Sequence, residues 1–120
     1  MSSIKDLEAR SVELTVQMDA LRDEHNTVHA EFQALTASGG KPRQLDLLRK
    51  RGDLIQSQQR LLATERDAIT NELGPARATV RDARSNLDYL GSERTELALG
   101  TRAVAKETRR LKMIIAETEG

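Results

Sequence analysis

Cysteine and tryptophan are absent from the 120 residues, tyrosine and phenylalanine occur once each, and proline occurs twice. Without cysteine there is no disulfide, no thiolate nucleophile and no Cys-ligated zinc. With so few aromatics the usual bulk of a globular core or ligand pocket is missing, so Leu, Ile, Val and Ala must supply the contacts. Long apolar runs are also missing: the longest is Met113 to Ala116, and the stretch from Met1 to Ser11 lacks the apolar centre of a signal peptide. The expectation is a chain with no membrane span, cytoplasmic or part of a particle assembled in the cytoplasm.

What remains is rich in Ala, Leu, Glu, Arg and Gln, the composition of long helices and coiled coils. Its length suits one domain, covering residues 1–120. The net charge is zero, but the charges are sorted. Through Ala37 three cations face seven anions; from Ser38 to Leu73 there are seven against five, and from Gly74 onward nine against seven. An acidic first helix packed on more basic ones accounts for this, within the chain or between copies.

Ile4, Leu7, Ser11, Leu14, Met18, Leu21, His25, Val28, Phe32 and Leu35 alternate spacings of three and four without a slip. That is a heptad seam with Ser11 and His25 as polar positions. A narrower row of Ala9, Val12, Val16 and Ala20 occupies another face and marks Val12 and Val16 as candidate partner contacts. Ser38, Gly39 and Gly40 then break the helix, and Pro42 suits the first turn of the next. The seam resumes as Leu45, Leu48, Gly52, Ile55, Gln59, Leu62, Arg66, Ile69 and Leu73. Folding back at the glycines pairs residue n with roughly 79 − n.

Gly74-Pro75 admits two readings. As a stop and restart it gives helix 3–37, loop 38–42, helix 43–73, a break at 74–75 and a helix over 75–118. As a kink it leaves one long second helix, and the heptad phase does run on unchanged through Ala76, Val80, Ala83, Leu87, Leu90, Arg94, Leu97, Thr101, Val104, Thr108, Leu111 and Ile115. The fold class is all-α either way: an antiparallel hairpin plus a third long helix, as a three-helix bundle or coiled coil, or a hairpin with a kinked second helix. In the bundle the last dozen residues overhang, which makes Arg109, Arg110, Leu111, Lys112, Met113, Ile114 and Ile115 candidate partner contacts. Gly91-Ser92, a stop followed by an N-cap type, or Gly100-Thr101 would instead let this end fold back.

Site chemistry is sparse. His25 and His29 are spaced i, i+4, which can place two imidazoles on one metal ion, with Asp53 expected nearby on the second helix; a half-buried seam histidine beside a solvated one is the plainer reading. Gly39-Gly40-Lys41-Pro42 lacks Walker spacing and reads as a hairpin loop. The clusters Arg49-Lys50-Arg51 and Arg109-Arg110-x-Lys112 come without the basic balance, aromatics or reading motif of a nucleic-acid binder. Arg94 in the seam is a candidate for setting register between chains.

The pattern therefore points to a non-enzymatic structural or assembly protein with no cofactor and no small-molecule substrate. It would work through helix faces with protein partners, as a homo-oligomer or within a larger assembly such as a virus or phage virion. A small regulatory or inhibitory module that binds one partner protein is the second reading, and a metal protein using His25 and His29 the third.

Overall fold

The computed structural model describes Ser2 to Gly120. Four helices follow one another, α1 (Ile4–Ala37), α2 (Pro42–Leu90), α3 (Glu93–Leu99) and α4 (Thr101–Glu119), with no strand among the described residues. All ten expected seam residues of α1 are buried or half-buried. The hairpin turn closes on backbone bonds from the Gly39 amide to the Thr36 carbonyl (3.3 Å) and from the Gly40 amide to the Leu35 carbonyl (2.7 Å). Gly39 takes a φ of 72°, a left-handed conformation that glycine adopts at no steric cost.

Contacts divide the chain into two units: Ser11–Ala68, and the residues through Arg10 together with Ile69–Gly120. The first unit is a two-helix hairpin whose buried apolar residues are Leu14, Val28 and Ile55. Its register follows the expected pairing: Glu24 meets Arg51 at 3.4 Å, His25 lies 3.4 Å from Gln56, and Gly52 faces Val28. The acidic helix does pair with the basic one, although such exposed pairs contribute only about 0–1 kcal/mol each. Arg66, expected in the seam, is exposed while Glu65 is half-buried.

The second unit joins the start of α1, the end of α2, α3 and α4. Here Glu8 meets Arg77 at 3.2 Å, again antiparallel. Of the two readings of Gly74-Pro75, the continuous helix is the one observed: α2 runs through the dipeptide with Pro75 inside it, so neither the stop at Leu73 nor the restart at Pro75 occurs. The reason is one of magnitudes. An internal proline costs about 3 kcal/mol and glycine roughly 1. Ile69, Leu73, Val80, Ala83 and Leu90 are all buried on one face across the site, and a large aliphatic side chain gains about 1.5–3 kcal/mol on burial. Pro75 and Asn71, whose carbonyl loses its amide partner, are both exposed, so water can serve that carbonyl. Helical geometry resumes at once, with the Thr79 hydroxyl donating to the Pro75 carbonyl at 3.0 Å.

The expected helix over 75–118 is interrupted later, at Gly91-Ser92. The Ser92 hydroxyl donates to the Tyr89 carbonyl (2.9 Å) and accepts from the Thr95 amide (3.3 Å), capping α3. Gly100, at φ 85°, separates α3 from α4. The seam phase consequently lapses between Leu90 and Val104: Arg94 is exposed, Leu97 is 83% exposed, and Thr95 is the buried residue, its hydroxyl 2.7 Å from that of Ser92, before Val104, Thr108, Leu111 and Ile115 are buried or half-buried in phase again. Arg94 is thus no seam residue. Ser92→Ala is expected to destabilise the protein by about 1 kcal/mol in thermal or urea unfolding, as loss of an N-cap does. Ser92→Thr, which keeps the hydroxyl, should recover most of that.

Candidate interaction surfaces

The C-terminal segment does not overhang. Leu111 is 3% exposed and packs with Ala83 and Leu90, against which Leu87, Val104, Ile114 and Ile115 are also placed. Heptad spacing on α4 aims Val104, Leu111 and Ile115 at one neighbour, and the breaks around α3 turn the helix back to meet α2. Arg84 pairs with Glu119, and Gly120 lies against Ser3 and Lys5. Of the proposed C-terminal contacts, Leu111, Ile114 and Ile115 therefore serve this unit's own core. Met113 is exposed, as are Arg109, Arg110 and Lys112.

Arg110 donates from Nε to both Glu107 carboxylate oxygens, at 3.1 and 3.0 Å. This hydrogen bond, more than the direct charge attraction, holds the Glu107 carboxyl below its usual range and raises Arg110. The lowered carboxyl adds a stabilisation that is present at neutral pH and lost as pH falls through its folded value. The pair is at the surface, so the effect is small.

On α1, Val12 and Val16 are 65% and 63% exposed, and Ala9 and Ala20 are exposed beside them. A second row escaped the seam-based reading. Leu47, Leu54 and Leu61 recur every seven residues on the outward side of α2 and are 60%, 67% and 71% exposed. Leu61 borders an open groove of about 440 Å³ with Ala20, Leu21 and Leu62. The signal was present as a seven-residue repeat, offset from the stronger repeat of the buried face.

The histidines stack with ring centroids 6.4 Å apart and planes 4° from parallel. They border a groove of about 200 Å³ with Phe32, over which the Arg49 guanidinium sits 5.8 Å from the ring centre. Asp53 is elsewhere. It lines another groove with Lys50, Leu54 and Ser57, because one residue past the seam position Gly52 the helix has turned outward. No three potential metal ligands cluster among the described residues.

Around Arg77, Arg81 and Arg84 lies an open groove of about 700 Å³. Its cations face carboxylates: Glu8 on Arg77, Asp82 on Arg81 and Glu119 on Arg84. The Arg77 and Arg84 pairs join α2 to α1 and to α4, while Arg81 and Asp82 are neighbours within α2.

Searches against protein-family models, curated proteins and solved structures match nothing to this chain. Among the described residues no helix is long and apolar enough to cross a membrane.

Proposed function

We propose that this chain is a non-enzymatic structural or assembly protein that works through its helix faces. The observation that supports the reading is the ordered exposure of large apolar residues. Leu47, Leu54 and Leu61 stand in one row on a two-helix hairpin, where a scattered pattern would need no explanation. The open grooves add to this, since shifted carboxylates and positioned nucleophiles need concave, water-excluded surroundings. The setting we put forward is a component or assembly factor of a large particle such as a virus or phage virion, where contacts between proteins are the whole of the activity. The experiment is sedimentation velocity of the full chain over a hundredfold range of concentration. Reversible growth beyond the 13.4 kDa of one chain is the expected result; a single 13.4 kDa species throughout contradicts self-assembly.

The exposure of Val12 and Val16 favours a second reading, a regulatory module that docks one partner protein on the outward face of α1. A chain that stays single in sedimentation, yet binds a purified partner and loses it on Val16→Asp, would establish that reading.

A further inference from the structure

We infer that the outward leucine row of α2 is a homodimer interface, formed by a second copy lying antiparallel with the two-fold axis at Leu54. The inference deepens the assembly reading and rests on it, naming the face and the occupant. All the residues it uses lie within the Ser11–Ala68 hairpin.

Two helices alone make a thin unit. Only Leu14, Val28 and Ile55 are buried apolar residues there, while three leucines stay more than half exposed on the outside. A seven-residue row drifts about 20° per heptad on a straight helix, so all three still present to one neighbour. Two hairpins packed on such rows form a four-helix arrangement, in which each hairpin supplies the layer the other lacks.

The occupant is a second copy because the face complements itself. A two-fold axis at Leu54 sets Leu47 of one copy against Leu61 of the other. Leu61 borders the 440 Å³ groove, which Ala20 keeps shallow-walled on the α1 side, so the incoming Leu47 has a hole to enter. The charges select the direction. At the Leu47 end Arg43 and Lys50 lie on the Leu54 side, with Asp46 held by Lys50 at 3.2 Å. At the Leu61 end Glu65 lies on the Leu54 side of the helix. An antiparallel pair brings Arg43 opposite Glu65, whereas a parallel pair lays Arg43 on Arg43 and Lys50 on Lys50, and like-charge pairing selects against that arrangement.

The area is sufficient. From Arg43 to Ala68 the helix is about 38 Å long, and a face two helices wide spans about 20 Å, so each copy offers on the order of 760 Å², close to the roughly 800 Å² per partner of a standard interface. An isologous contact of this kind closes on itself as a dimer.

The absence of native cysteine makes the test direct. Leu54→Cys, Leu47→Cys and Leu61→Cys are each made singly in the full chain and oxidised mildly at micromolar concentration, with helicity checked by circular dichroism. Leu54→Cys is expected to form a disulfide dimer at least tenfold faster than Leu47→Cys or Leu61→Cys alone, and a mixture of the latter two should give the crossed dimer. Equal self-crosslinking at all three positions would mean parallel pairing and overturn the inference, as would slow crosslinking at all three. A chain that associates in sedimentation but fails to crosslink at Leu54 overturns this interface and leaves the assembly reading standing; a chain that stays single in sedimentation removes both.

Discussion

Replacing Gly74 and Pro75 together by alanine is expected to stabilise the protein by about 3–4 kcal/mol. In a continuous α2 the substitution restores the amide that an internal proline lacks, removes its clash one turn back and reduces the backbone entropy lost at glycine. There is room for the change, since a Cβ at Gly74 meets nothing within 4 Å. The sign distinguishes the two readings of the dipeptide. At a helix end, glycine after the last turn and proline at the start of the next helix are the favoured residues, and alanine there would be neutral or destabilising. Urea unfolding, with the midpoint and slope both recorded, reads the difference. A midpoint that falls while the slope holds would contradict continuity.

Leu111→Ala is expected to cost about 2–5 kcal/mol, the range for truncating a buried leucine in a packed core. Leu111 is the most deeply buried residue of α4 and sits with Ala83 and Leu90. Met113, two residues on, is 62% exposed, so Met113→Ala should change stability by no more than about 0.5 kcal/mol. A free arm reserved for a partner would make both substitutions nearly neutral in the isolated chain. The same unfolding experiment therefore tests whether the C-terminal segment completes its own unit. If Leu111→Ala leaves stability unchanged, the packing of α4 on α2 is wrong.

The buried face of α1 is legible residue by residue, because ten seam positions in unbroken three-four alternation leave one way to lay the helix on a neighbour. The hairpin register follows from loop length alone. Gly74-Pro75 is ambiguous in the sequence because stop signals are local, while the burial that overrides them is distributed from Ile69 to Leu90. The unbroken heptad phase was the informative sign there. Between Leu90 and Val104 the same sign misleads: phase continues formally through Arg94, Leu97 and Thr101, but Gly91, the Ser92 cap and Gly100 interrupt the helix and Thr95 takes the buried place, after which Val104, Thr108, Leu111 and Ile115 face inward in phase again.

For the interaction surfaces the balance is different. Val12 and Val16 stand out in the sequence because their row lies well away from the seam, and they are exposed. The group from Leu111 to Ile115 has the apolarity of a docking arm, but it fills a core that exists only once α4 turns back. Leu47, Leu54 and Leu61 are hidden by company. Each lies next to the dominant seam residues of α2, and only exposure separates a leucine that packs inward from one that does not.

Hydrogen exchange of the intact chain, followed by mass spectrometry at low and high protein concentration, tests most directly which face meets a partner. The account predicts that peptides covering Leu47 to Leu61 gain protection as concentration rises, while those covering Leu111 to Ile115 are protected equally at both. Concentration-dependent protection confined to the C-terminal segment, with the leucine row unchanged, would contradict it.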